Sequence, residues 1–408
     1  MPTRKIAPLF DEQTASTVEK KQAEENMQKM DMTSMQQEYF GKGSLYQLET
    51  IIARHQARRL LLVTGKSSYN SCGAAEIINT LCKGYEVQFF HDFSVNPKLE
   101  EAIGGIELLN SFKPDVIIAV GGGSVLDMGK LITFFQAQDT EDYESIIKAR
   151  RCVKKGIPFV AVPTTAGTGS ESTRYAVVYI NGVKYSLTHG FVMPDYAIID
   201  PTLTFNTPPY QTAASGMDAF CQAIESHWSV NATAESRSFS STAMKELNAH
   251  LKDSVLSGAE EARVRVSYGA NLSGKAINIT ETTAPHAISY PLTSHWGIPH
   301  GHAVALLMGK FLSLNSVLAE KMARSVGFTE LKRSLEDIYL MLGCPDGESC
   351  SEKWYELMGE LGLETDFKKL GIHSPDDYQR IADSVNPQRL KNHPVSLSRD
   401  AVISLFSS

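Results

Sequence analysis

The feature that most limits the fold is a short apolar run that ends directly in glycine. Asp115-Val-Ile-Ile-Ala-Val120 shows no apolar/polar alternation, and Gly121-Gly-Gly-Ser124 follows at once. A continuous run of this length suits a strand buried on both faces, as in parallel sheets covered by helices. Similar runs occur at Arg59 to Thr64 and Phe159 to Val162, Tyr85 to His91 reads as a further strand, and helical segments lie between them. The alternation predicts a doubly wound α/β domain with a parallel sheet over residues 38–204. Within it, Asn181-Gly182 separates Ala176–Ile180 from Val183–Leu187 and predicts a hairpin. Ala197 to Asp200 reads as a last strand, closed by Pro201. Tyr39 to Gly43 reads as a turn into a helix carrying Leu45, Leu48, Ile51 and Ile52. From Phe205 onward nearly everything reads as helix, which predicts an all-α domain over residues 205–408. Residues 1–37 are a polar extension.

A chain of 408 residues is long enough for two domains, each with its own core. The net charge of −7 argues against nucleic acid or a membrane surface as the main partner. No apolar run is expected to reach membrane length, and Arg4, Lys5, Asp11 and Glu12 speak against a signal peptide. The six cysteines lack CxxC spacing, which predicts reduced thiols in a cytoplasmic protein. Cys344 and Cys350 are close enough in sequence to pair, but a loop thiol is the simpler reading.

Two glycine-rich loops follow predicted strands. At Gly121, Gly122, Gly123 and Ser124 the backbone can approach a phosphate closely, and a helix start supplies free N–H groups. Its spacing is not the usual G-x-G-x-x-G, and a tight strand-to-helix turn is the alternative. Thr164, Thr165, Thr168, Gly169 and Ser170 form a second loop at a strand end, a position that lines cofactor crevices in open sheets. A third feature is a ligand set. Asp218 and Gln222 lie one helical turn apart on one face. His286 and His300 sit in small-residue, proline-interrupted segments. One carboxylate, one amide oxygen and two imidazoles form a four-ligand set for a divalent ion.

Taken in order, Gly-Gly-Gly-Ser-Val-Leu-Asp127, Pro163-Thr-Thr-Ala-Gly-Thr-Gly-Ser-Glu171, Gly216-Met-Asp-Ala219, and His286 with Pro299-His-Gly301 resemble the iron-containing (group III) alcohol dehydrogenases. The resemblance covers about residues 38–400. Lys275-Ala-Ile-Asn278, Thr282–Thr293 and Gly297–His302 look most like the phosphonoacetaldehyde reductases of that family. It implies a nucleotide-binding α/β domain, a helical domain and a metal in the cleft between them. The four metal positions fall on Asp218, Gln222, His286 and His300, with Gln222 where the family usually has His. An amide oxygen is a harder and weaker donor than imidazole, which lowers the expected metal affinity; the resemblance implies Fe2+, with Zn2+ and Mn2+ as alternatives. Tyr290 stands where the family often carries a proton-relay histidine, with His295 and His302 nearby.

The implied reaction is reduction of an aldehyde by NAD(P)H at a Lewis-acid metal. Gly65, Lys66, Ser67, Asp127 and the two glycine-rich loops are the expected cofactor contacts. Val63-Thr-Gly-Lys-Ser-Ser68 offers a cation and two hydroxyls with no acid, which favours NADPH over NADH. The expected substrate is a small anionic aldehyde, phosphonoacetaldehyde, with Arg174 and Lys275 as contacts to its head group. Another short polar aldehyde, a dehydroquinate synthase-like lyase that recycles its nicotinamide, and a metal-free binding protein are the alternatives. The expected assembly is a homodimer.

Overall fold

The central strands are buried along their length because their side chains serve two cores at once. The computed structural model describes residues 36–138, 140, 142–149, 154–323 and 327–407. The polar extension expected over residues 1–37 lies almost wholly outside them, as does Cys152. A six-stranded, all-parallel sheet runs in the order β1-β8-β5-β4-β2-β3. Its strands are β1 (Gln37–Phe40), β2 (Arg59–Thr64), β3 (Glu86–Phe90), β4 (Val116–Gly121), β5 (Phe159–Pro163) and β8 (Tyr196–Ile199). Successive residues point to opposite faces. Leu60 and Leu62 join one apolar cluster with Leu48 and Ile51 of α1 (Gln47–Arg54). A single turn, α2 (Ser68–Ser71), leads to α3 (Ala74–Leu81), whose Ile78 joins that cluster. Leu61 and Val63 join the opposite cluster with α4 (Leu99–Phe112), α5 (Gly123–Gln136) and α6 (Tyr143–Ala149).

One expectation is corrected here. Gln37–Phe40, read partly as a turn, is an edge strand paired with β8. Its four residues are half exposed, so the apolar run that marks a buried strand is missing. The expected hairpin is present as β6 (Tyr175–Ile180) and β7 (Val183–Thr188), paired antiparallel apart from the main sheet. Asn181 and Gly182 take φ of 50° and 76°, the double positive φ of a two-residue hairpin turn.

β3 lies on one side of β2 and β4 on the other. The chain therefore reverses direction across the sheet between β2 and β4, and a crevice opens at their carboxyl ends, where open α/β sheets bind ligands.

The helical half is built around α7 (Pro209–Trp228), buried without a break from Gly216 to Trp228. It packs among α8 (Ala234–Leu256), α9 (Glu260–Thr280) and α11 (His300–Met322), while α10 (Ala284–Trp296) packs on α11. Contrary to the sequence expectation, His300–Leu318 is long and apolar enough to cross a membrane by length and composition. It is a core helix: Ala303 through Met308 are completely buried against the other helices. Cys72, Cys82, Cys221, Cys344 and Cys350 are free thiols.

Candidate active site

One cleft runs from the carboxyl ends of β2 and β4 to the first turns of α10 and α11. It encloses about 1510 Å³. A pocket for one small molecule occupies roughly 300–1,000 Å³, so the cleft has room for a dinucleotide and a second, small molecule.

Its α/β wall is made largely of backbone. Gly65, Lys66, Ser67, Gly122, Gly123, Ser124, Asp127, Thr164, Thr165, Thr168 and Ser170 line it. Gly121 is the last residue of β4, and its carbonyl accepts a hydrogen bond from the Thr164 N–H at 3.0 Å, which joins the two loops. A Cβ on Gly123 would lie 2.7 Å from Thr168 Cγ2, so only glycine fits the cradle and leaves the first turn of α5 open to a phosphate. Asp127 is held differently from a cofactor contact. Its carboxylate accepts from Ser170 Oγ at 2.6 Å and from the Val177 N–H at 3.0 Å, so it braces the loop onto the hairpin. Lys130 lies beneath, its ammonium donating to Ser170 Oγ, the Thr173 carbonyl and the Tyr175 carbonyl. Lys66 is paired at the surface with Asp92 at 3.0 Å.

The helical wall is made of side chains. The ligand atoms of Asp218, His286 and His300 lie within 4.8 Å of one another. Gly301 explains the approach of α11 to α7: a Cβ there would stand 2.0 Å from the Ala214 carbonyl oxygen and 2.9 Å from Asp218 Cβ. His286 Nε2 is 3.2 Å from Asp218 Oδ1, and His300 Nε2 is 3.9 Å from the same oxygen. Gln222 also lines the cleft. Its amide is aimed by Nε2 donation to the Thr168 carbonyl at 3.4 Å and by a hydrogen bond from Ser273 Oγ to Oε1 at 3.2 Å.

Glu225 was not singled out from the sequence, although it lies seven residues after Asp218 and so on the same face of α7. Its buried carboxylate accepts from His286 Nδ1, from the Thr283 N–H and from Thr283 Oγ1. Trp228 Nε1 donates to that Thr283 hydroxyl at 3.0 Å. The chain Trp228–Thr283–Glu225 fixes the ring of His286 with Nε2 toward Asp218. A carboxylate behind an imidazole is the usual support of a metal-ligating histidine.

The charges in this wall are strongly coupled. Burial opposes charging His286, but Glu225 and Asp218 outweigh it and hold the imidazole up at about 10. Burial would raise Asp218, but the two imidazoles and Lys184 bring it below the usual carboxylate range. Burial dominates at His300, with Lys184 and His286 adding to it against Asp218, and brings it down to about 3. Two imidazoles, a carboxylate and an oriented amide fit a divalent ion.

Tyr290 lines the cleft with its ring stacked on that of His300, centroids 5.7 Å apart and planes 18° apart. The other sequence candidates lie elsewhere. His302 is buried outside the cleft, with Nδ1 toward Tyr210 Oη at 3.1 Å and Nε2 toward the Glu364 carbonyl at 2.7 Å. With both ring nitrogens engaged, it has no free position for a relay. His295 is on the surface beside Arg380. Lys275 pairs with Glu38 of β1 at 2.7 Å and, like Arg174, is absent from the cleft lining. The cations that do line it are Lys66, Lys184 and Arg389.

A glycine cradle at a sheet's switch point, facing a metal-ready cluster on a helical bundle, is the architecture of a two-domain dinucleotide-dependent dehydrogenase. Residues 36–201 match the iron-containing alcohol dehydrogenase family, and residues 212–408 match the C-terminal part of the Fe-containing alcohol dehydrogenase family. A long-chain-alcohol dehydrogenase of Geobacillus thermodenitrificans is 34% identical over 274 residues, 66% of this chain and 69% of that protein. An NADPH-dependent butanol dehydrogenase of Clostridium saccharobutylicum is 27% identical over 380 residues, 90% of this chain and 95% of that protein. The crystal structure of a sulfoacetaldehyde reductase from Bifidobacterium kashiwanohense in complex with NAD+ superposes with a TM-score of 0.82 at 28% identity, over 91% of this chain and 96% of that one. The chain belongs to the iron-containing alcohol dehydrogenase family.

Proposed function

We propose that this enzyme reduces phosphonoacetaldehyde to 2-hydroxyethylphosphonate, with NADPH preferred over NADH. The observation that carries the reading is the meeting, in one cleft, of the glycine cradle, the Asp218–His286–His300 cluster and two cations beyond it, Lys184 and Arg389. The sulfoacetaldehyde reductase relative supports a two-carbon aldehyde with an anionic end. The butanol dehydrogenase relative supports NADPH.

In this reading Gly122, Gly123 and Ser124 receive the pyrophosphate, with Thr164, Thr165 and Thr168 closing the crevice. Asp218, Gln222, His286 and His300 would hold the ion, Fe2+ in the first instance. When bound, the ion polarises the aldehyde oxygen and the reduced nicotinamide supplies hydride. The chain's own residues do the rest. Glu225 keeps His286 in the ligating orientation through Nδ1. Tyr290, whose Oη accepts a hydrogen bond from Arg389 Nη1 at 3.1 Å, holds a proton beside the reacting oxygen. Burial of the phenol is outweighed by Lys184 and Arg389, which bring it down to about 8, within reach of neutral-pH proton transfer. The rigid sheet and bundle position the two reactants, which is worth much of the rate.

The test follows NADPH absorbance as phosphonoacetaldehyde or propanal is added to Fe2+-loaded protein. Stoichiometric oxidation of NADPH, faster with the phosphonate, is expected. Turnover of substrate without net loss of NADPH would instead identify a lyase of the dehydroquinate synthase kind.

A further inference from the structure

We infer that Lys184 and Arg389 together bind the anionic head group of the substrate. This rests on the aldehyde-reductase reading and assigns the residues that select the substrate. Lys184 projects from the β6–β7 hairpin of the α/β half, and Arg389 from the Pro387–Asn392 turn of the helical half. Both converge on one ring. Lys184 Nζ lies 3.5 Å from the centroid of Tyr290, and the Arg389 guanidinium carbon lies 5.0 Å from it.

Among the described residues neither cation has a carboxylate oxygen within 4.0 Å. Both are only partly exposed, and burial together with the neighbouring guanidinium holds Lys184 below the usual lysine range despite the opposing pull of Tyr290 and, further off, of Asp127 and Asp218. Two partly buried like charges facing one ring repel each other, and no carboxylate among the described residues pairs with either at contact distance. A group with two negative charges and several acceptor oxygens satisfies both, bidentate at the guanidinium and as a point contact at the ammonium.

The Tyr290 ring that carries the cations is the ring stacked on His300, one edge of the metal-ready cluster. The head group is thus placed beside the ring that borders the cluster. Lys66, the third cation of the lining, is already paired with Asp92.

The experiment titrates ethylphosphonate, a non-reacting anion of matching length, into metal-loaded protein by calorimetry, with and without saturating NADP+. Binding that persists with NADP+ present, and that weakens at least about tenfold in both Lys184→Met and Arg389→Gln, is expected. NADP+ binding measured on the same samples reports their folding, and because the two residues lie on separate elements, either variant decides alone if the other does not fold. Three results overturn the inference. Wild-type protein fails to bind ethylphosphonate; both folded variants bind it within about threefold of wild type; or NADP+ displaces it fully, which gives the pair to the dinucleotide. The substrate reading is judged separately. If phosphonoacetaldehyde shows no kcat/KM advantage over propanal while ethylphosphonate binding still depends on Lys184 and Arg389, that reading fails and the anion site stands.

Discussion

The two walls of the cleft are built by opposite means. The α/β wall presents main chain: glycines clear a surface, and the sheet beneath decides where that surface lies. The helical wall presents side chains from three helices, Asp218 on α7, His286 on α10 and His300 on α11, brought within 4.8 Å by packing. A backbone site loses function when something is added to it. A side-chain site loses function when something is taken away. The first is blunted gradually, whereas the second fails as a unit because its charges are coupled.

Removing a ligand is the strongest way to break this contrast. Asp218→Ala or His286→Ala should lose the bound ion and at least about a thousandfold in kcat/KM, since the ion contributes several kcal/mol to the barrier. Metal analysis beside the kinetics checks it, and full metal content in both variants would falsify the ligand assignment. Glu225→Gln probes the support behind the ligand. Its expected effect is a loss of about 10–100-fold in metal affinity, with the fold kept. Competition with a chromophoric chelator reads this, and an affinity equal to wild type would reduce Glu225 to a packing residue.

On the other wall the sign of the substitution reverses. Gly123→Val adds bulk against Thr168, and overpacking of this kind costs about 1–3 kcal/mol, or roughly tenfold and upward in KM for NADPH. Metal content should not change, and a variant that lost metal instead would show the two walls to be one unit. The smallest effect is expected at Lys66. Its side chain is 63% exposed and paired with Asp92, so solvent screens it. Lys66→Ala should lower the NADPH-to-NADH ratio of kcat/KM by no more than about threefold, and a change of tenfold or more would place the 2′-phosphate directly on Lys66.

The same contrast explains what could be read from the sequence. The central strands were legible because double-sided burial leaves a continuous apolar run, and the glycine cradle because three successive glycines are rarely spent on a plain turn. The grouping of Asp218, His286 and His300 was legible through their chemistry and through the resemblance that carried it. β1 was not, since a four-residue, half-exposed edge strand has no periodic signature. Glu225 had a signal in its seven-residue offset from Asp218 that went unused. Lys184 and Arg389 had none, because their proximity comes from how a hairpin and a late turn meet over Tyr290. Arg174 and Lys275 show the converse: nearness in sequence to cleft-lining motifs did not put them in the cleft.

The placement of β1 bears on how the molecule is made. Among the described residues the strand pairs in the sheet only with β8, which is the last strand of that sheet to be synthesised. A chain leaving the ribosome therefore carries an unpaired edge segment until every other strand of the sheet has emerged, and long-range pairings of this kind are slow to form. Glu38 on that strand then grips Lys275 and Asn271 of α9. The strand that closes the sheet's edge is thus also a latch onto the helices that follow, so the same four residues tie the first half to the second.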